Sequence, residues 1–148
     1  MSKYLRFAAM IATSTVMMYG LMYLNTYAFE HVYWSETRAY MALIMGATMT
    51  IVMMVFMMGM YDRKGLNAAI LAVAVLIFAG SLYMVRSQAS IDQVDWMKAM
   101  IPHHSIAILT SERAELTDPR VRELADEIIE AQRREIDQMK TLIAELEQ

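Results

Sequence analysis

Two long apolar stretches in the first half of the chain decide its fold class. The first is YMALIMGATMTIVMMVFMMGMY at residues 40–61, and the second is LNAAILAVAVLIFAGSLYMV at residues 66–85. Neither contains a charged residue. At about 1.5 Å per residue they would form helices of roughly 33 and 30 Å, against about 30 Å for the hydrocarbon core of a bilayer. A third uncharged stretch, of 19 residues, lies at 7–25. The sequence therefore predicts three transmembrane helices, at about 7–25, 40–61 and 66–85.

The composition of the whole chain is typical of a membrane protein. Of 148 residues, 57% are hydrophobic and 20% are charged, whereas soluble globular chains carry about 45–50% and about 25%. The absence of cysteine excludes disulfides, thiolate zinc sites and iron–sulfur clusters. The net charge of −3 gives no support for nucleic-acid binding. No zinc-protease, di-iron or serine-nucleophile motif is present, so we expect no enzymatic activity.

The composition changes near Arg86, which marks the predicted boundary between two domains. Residues 86–148 hold 8 of the 13 basic residues and 13 of the 16 acidic ones. No apolar run in this tail is long enough to cross a bilayer. We therefore expect a transmembrane anchor at 1–86 and a helical domain at 87–148.

Start and turn signals divide the tail into two helices. Ser90 followed by Gln93 is typical of a capping box, and Asp118 before Pro119 is typical of a turn and a new helix start. Proline inside a helix removes a backbone donor and kinks the helix, so Pro102 predicts a bend. The tail is thus predicted to be an antiparallel helical hairpin.

The last helix carries two polar side chains on its apolar face. At about 100° per residue, six apolar residues share one arc and form the predicted buried face: Val121, Leu124, Ile128, Met139, Leu142 and Leu146. Gln132 and Glu135 fall inside this arc. A carboxylate that faces a core is costly unless it is paired, hydrogen-bonded or near a metal. Two interpretations therefore stay open for Gln132 and Glu135. Either they form an interhelical polar network or line a solvent groove, or they belong to a metal site.

The first tail helix presents sulfur and imidazole ligands in the pattern Met97-x-x-Met100-x-x-His103-His104. Residues three, four and seven apart share one side of a helix. Thioether and imidazole without thiolate form a ligand set that suits copper, and Cu(I) above all. The candidate metal-binding residues are Met97, Met100, His103, His104, Glu135 and Met139. Gln132 is expected to orient an imidazole by accepting its free ring N–H.

Two runs in the tail resemble a known bacterial family. The runs Met100-Ile-Pro-His-His104 and Gln132-x-x-Glu-Ile-x-x-Met139 resemble the family catalogued as domain of unknown function number 305. The resemblance covers residues 90–146 and implies a ferritin-like helical fold, here half of a bundle. Members are often periplasmic or membrane-anchored, and some are implicated in copper binding. The resemblance places the site at Met100, His103, His104 and Met139, and the lack of further methionines just after the histidines implies a single site.

The basic residues near the apolar stretches predict the orientation in the membrane. Lysine and arginine favour the inner side. Four lie on the N-terminal side and two on the other: Lys3, Arg6, Arg63 and Lys64 against Arg38 and Arg86. The N-terminus is therefore expected inside and the tail in the periplasm, at a bacterial inner membrane. A cleaved signal peptide is the competing interpretation of residues 7–25.

The second apolar stretch carries a stripe of methionines four residues apart: Met41, Met45, Met49, Met53 and Met57. Methionine fills irregular gaps, which favours packing between helices. A thioether ladder for a soft metal is the alternative, and it would make the protein a transporter. Our leading hypothesis is a membrane-anchored protein that captures, sequesters or delivers copper. The alternative is a structural or accessory membrane subunit whose bundle mediates assembly without metal.

Two short helices cannot bury both of their apolar faces, so we expect a homo-oligomer in which tails of different subunits complete a bundle. The expected partners are thus the lipid bilayer, a metal ion and further copies of the chain.

Overall fold

The computed structural model describes residues 2–147, and helices are the only regular secondary structure over that range. The all-α prediction is therefore confirmed. Five α-helices follow one another: α1 Lys3–Leu21, α2 Glu36–Phe56, α3 Lys64–Ser87, α4 Gln93–Arg113 and α5 Pro119–Leu146. Short 3-10 helices lie at Phe29–His31 and Met58–Met60. The helices divide into two compact units, one built from residues up to 22 with 37–90, the other from 23–36 with the chain from 91 onward.

Helices α2 and α3 are long and apolar enough to cross a membrane. Only 22% and 11% of their most apolar segments are buried within the chain. The core helix of a soluble domain would hide most of such a surface. Two of the three expected spans are thus supported by length and composition.

The expected first span is wrong as a membrane-crossing segment, although a helix forms there. Among the described residues only α2 and α3 have the required length and apolarity. Helix α1 begins at Lys3 and ends at Leu21, so residues 22–25 lie beyond it. It includes Lys3 and Arg6, and a run of three hydroxyl residues at 13–15 weakens its apolar character.

The first unit packs around an aromatic and sulfur-rich cluster. Phe7, Met54 and Tyr61 are its buried members, and Met53 and Met57 pack against them. The ring centroids of Phe7 and Tyr61 are 5.7 Å apart in an edge-on arrangement, a favourable geometry for aromatic rings. At this end of α2 the methionines act as packing residues.

Helix α2 approaches α1 closely at Gly46, because the glycine has no side chain. A Cβ at position 46 would lie 3.2 Å from Thr15 Cγ2 and 3.3 Å from Thr15 Cβ, and closer still to Thr15 Oγ1. The Thr15 hydroxyl donates to the Ile11 carbonyl at 2.8 Å, as threonine commonly does within a helix. The contact therefore leaves no room for a methyl group.

The second unit contains the predicted hairpin, with one corrected boundary. The N-cap of α4 is Asp92, whose carboxylate accepts from the N–H groups of Val94 and Asp95 at 2.8 Å each. The predicted Ser90 cap is wrong: its hydroxyl is 3.1 Å from the Tyr40 hydroxyl instead. An aspartate two residues later satisfies the same orphan N–H groups.

Helix α5 begins as predicted. Asp118 is its N-cap, accepting from the Arg120 N–H at 2.9 Å, and Pro119 takes the first helical position. The Arg120 guanidinium also donates to Asp118 and lowers the pKa of that carboxyl. Helix α4 continues through Pro102, which is buried.

The buried face of α5 differs from the prediction. Its buried residues are Ala125, Ile129, Ile136, Met139 and Ile143. The other five predicted core residues are 36–55% exposed: Val121, Leu124, Ile128, Leu142 and Leu146. Helix α5 has two adjacent apolar rows, and α4 covers only one of them. Apolar periodicity indicates the width of this arc but not which part of it the partner helix covers.

Candidate metal site on the helical hairpin

Among the candidate residues, His104 of α4 and Glu135 of α5 lie within hydrogen-bond distance of each other. His104 Nε2 is 2.7 Å from Glu135 Oε2, and His104 Nδ1 is 3.0 Å from the Met100 carbonyl oxygen. The imidazole is 13% exposed and the carboxylate 46%. The pair thus has a mostly buried imidazole and a carboxylate that is partly open to solvent.

The two contacts of His104 fix the orientation of its ring. Nδ1 lies against the Met100 carbonyl and Nε2 against the Glu135 carboxylate, and either nitrogen donates in the corresponding tautomer. A cation that binds at Nε2 would replace the contact with Glu135.

Three candidate methionines lie together beside this pair. Met97 and Met139 are buried in one cluster with isoleucines of both helices, and Met100 packs against that cluster. Their thioethers therefore contribute to the core between α4 and α5. Met100 also supplies the carbonyl that accepts from His104, so sulfur and imidazole share one turn of α4.

The remaining candidates lie at the edge of this group. His103 is exposed, and its ring centroid is 6.2 Å from that of His104. Gln132 is half-buried, one turn before Glu135 on α5. Within residues 2–147, no three His, Asp or Glu side chains converge on one point. A single chain thus offers a histidine–carboxylate pair with thioethers nearby, and no site made only of nitrogen and oxygen ligands.

Sequence reasoning missed a second polar cluster, which fixes the segment 23–36 to α4. His31 is buried, and its Nδ1 is 2.9 Å from Ser105 Oγ. The Tyr27 N–H donates to the same oxygen at 2.7 Å. Ser105 is fully buried. The only signal in the sequence is a lone histidine among the aromatic residues of this segment, which gives no indication of its distant partner.

The charges around His31 favour its neutral form. Burial lowers the pKa of His31, and the nearby Lys140 ammonium lowers it further, while Glu30 and Asp137 act in the opposite direction. A hydrogen bond from Lys140 at 3.0 Å lowers the pKa of Glu30. In the neutral tautomer with hydrogen on Nε2, Nδ1 accepts from the Ser105 hydroxyl. Ser105 Oγ then accepts from the Tyr27 N–H and donates to His31, while His31 Nε2 lies 3.6 Å from Glu30 Oε1.

The segment 23–36 therefore covers one face of the hairpin. Besides the Ser105 cluster, it is held by Lys140 through Glu30 and by Arg133, whose guanidinium carbon is 5.9 Å from the Tyr27 ring centroid. Tyr33 packs against the hairpin core. The face that carries His103 and the outer apolar row of α5 stays open within the described chain.

These features define a class of all-helical chains in which two long apolar helices precede a hairpin with a histidine–carboxylate pair. Residues 34–143 match the family described as Domain of unknown function (DUF305), and the chain belongs to that family. It is similar to the uncharacterized protein L153 of Acanthamoeba polyphaga mimivirus, with 33% identity over 108 residues, 72% of this chain and 69% of the relative. No solved structure matches the chain. The resemblance seen in the tail is confirmed, and the match extends over α2 and α3 as well.

Proposed function

We propose that this protein is anchored in a membrane by its apolar helices and binds copper on its helical hairpin. One observation carries the proposal: the imidazole of His104 lies on the same turn as Met100, beside the cluster that contains Met97 and Met139. Thioether and imidazole ligands select Cu(I) among the common metal ions. The role that fits such a site is the capture, sequestration or delivery of copper.

The geometry supports binding through the outer nitrogen of His104. The exposed His103 ring, whose centroid is 6.2 Å from that of His104, would supply a second imidazole. Binding at Nε2 of His104 would replace its contact with Glu135. The Met100 carbonyl, 3.0 Å from Nδ1, would hold the ring in place, as outer hydrogen bonds of metal-bound imidazoles do.

The location that suits this role is a bacterial inner membrane with the hairpin in the periplasm. Two apolar helices support membrane insertion. Two crossings place residues 23–36 and the hairpin on the same side of the membrane, which agrees with the contact between His31 and Ser105.

The alternative is a structural or accessory membrane subunit. The observation that favours it is the burial of Met97 and Met139 among isoleucines, since such methionines fill space in a core. In that case the His104–Glu135 pair fixes the pairing of the helices and binds no metal.

Copper titration of the purified full chain in detergent distinguishes the two functions. The chain is titrated anaerobically with Cu(I) against a chromogenic chelator. We expect His104→Ala to lower the affinity by more than tenfold and Met100→Leu to lower it less. Met58→Leu is the matched control, because Met58 is exposed in the short 3-10 helix of the first unit. Equal Cu(I) affinity in the His104→Ala variant and the unaltered chain would refute copper binding at this site.

A further inference from the structure

The hairpin has an open apolar face that the described chain does not cover. On α5 it consists of the outer row, five apolar residues that are 36–55% exposed: Val121, Leu124, Ile128, Leu142 and Leu146. At about 100° per residue this row lies roughly a quarter turn from the row that packs on α4. Trp96 of α4 is 50% exposed as well. The opposite face is occupied by the segment 23–36.

The outer row matches itself when the helix is reversed. Val121 and Leu124 lie at one end, and Leu142 and Leu146 lie at the other, at nearly equal distances from a centre close to Arg134. Reversal about this centre therefore places Val121 opposite Leu146 and Leu124 opposite Leu142. A two-fold interface requires this kind of self-complementary surface.

The charged residues at the two ends of the row suit the antiparallel arrangement. Arg120, Arg134 and Glu145 lie along the edge of the row that faces away from α4, at 100° per residue. In an antiparallel two-fold pair this edge faces the same edge of the other copy. Arg120 then lies opposite Glu145 at both ends, and Arg134 lies opposite its own copy at the centre. Complementary flanking charges help to set the orientation of paired helices, and the two oppositely charged end pairs outnumber the like-charged central one.

We propose that a second copy of this chain docks on the open face, with the two α5 helices antiparallel. The two hairpins then form a four-helix bundle, which buries the apolar rows that each hairpin leaves exposed. The segment 23–36 stays on the outside of each hairpin and prevents further addition on that side. The assembly is therefore a closed dimer.

The antiparallel dimer also doubles the candidate metal site. Glu135 lies within two residues of the centre, so the two copies of Glu135 are offset by only about 4.5 Å along the helix axis. Each brings its His104 partner, 2.7 Å away. The interface thus joins two imidazoles and two carboxylates, whereas one chain supplies one of each. One copper ion is then shared by two chains. This sharing rests on the proposed copper function.

Cross-linking of introduced cysteines tests the dimer, because the natural chain has none. Two differently tagged full-length chains in detergent, one with Arg120→Cys and one with Glu145→Cys, are mixed and treated with a short bis-maleimide in EDTA. We expect a cross-linked pair from the mixture and none from either variant alone. The control replaces Glu145→Cys with Glu130→Cys, an exposed position on the other side of α5, and it should give no product.

The results separate the possible arrangements. Product from either variant alone would indicate a parallel pair and overturn the proposal, as would the absence of product from the mixture. Leu124→Asp should abolish the product while circular dichroism shows unchanged helicity. If that variant loses helicity, Leu142→Asp at the other end of the row serves as the second test.

The shared metal site is tested separately from the dimer. We expect one Cu(I) per two chains, and His104→Ala should abolish copper binding without reducing the cross-link between positions 120 and 145. One copper per chain would refute the shared site while leaving the dimer intact. Cross-linking with no copper bound would refute the copper function alone.

Discussion

The contact between His104 and Glu135 is the most informative detail at the scale of single residues. It joins α4 to α5, and the Met100 carbonyl lies against the other nitrogen of the ring. Replacement of Glu135 by glutamine keeps the shape of this contact and removes the carboxylate charge.

The Glu135→Gln variant should bind Cu(I) more weakly than the unaltered chain, because a neutral amide attracts a cation less than a carboxylate does. We expect the loss to be smaller than that of His104→Ala, in the same anaerobic titration. Asp137→Asn, on the same helix, is the matched control, and equal affinity in all three proteins would contradict a role for Glu135.

At the scale of secondary-structure elements, the approach of α2 to α1 depends on Gly46. Alanine at this position should destabilise the first unit, because overpacking costs about 1–3 kcal/mol and exceeds the gain of about 1 kcal/mol in helix propensity. Gly80→Ala is the control, since a Cβ there has nothing within 4 Å, and it should be neutral or stabilising. Thermal unfolding in detergent followed by circular dichroism measures both.

A second substitution tests the cause of that effect. Thr15→Ala removes the side chain that a Cβ at position 46 would meet. The double variant Gly46→Ala, Thr15→Ala should recover most of the lost stability. A double variant that is as unstable as Gly46→Ala would show that the clash lies elsewhere.

The same scale shows what sequence patterns can predict in this fold. The start of α5 at Asp118 and Pro119 follows from local chemistry, since a cap and the first-turn proline act within one turn. The rotation of α5 about its axis cannot be predicted in this way, because its apolar arc is wider than the surface that one partner helix covers. The same holds for the candidate site: the pairing of His104 with Glu135 agrees with their predicted faces, while the burial of Met97 and Met139 depends on that rotation.

At the scale of the whole molecule, the contact of His31 with Ser105 lies beyond sequence patterns, since 74 residues separate the two. It also makes the second unit sensitive to acid. Burial lowers the pKa of His31 in the folded chain. The unfolded chain therefore takes up the proton first as the pH falls, and stability that is present above the ordinary histidine pKa of about 6.5 is lost below it.

We expect the unfolding temperature of the chain to fall between pH 7.5 and pH 5, with His31 as one cause. The His31→Gln variant keeps a group that can accept from Ser105 but does not titrate, so its unfolding temperature should depend less steeply on pH. The comparison of slopes removes whatever pH dependence the two proteins share. Identical slopes in the two proteins would exclude His31 as the source.

The covering segment 23–36 is separated along the chain from the hairpin it protects by both apolar helices. Each compact unit is consequently built from two stretches of polypeptide, interleaved with those of the other. A fragment that begins at residue 91 lacks the segment 23–36 and would leave Ser105 and the hairpin core exposed. A version of the hairpin that keeps its core covered requires residues 23–36 to be joined ahead of residue 91 by a linker.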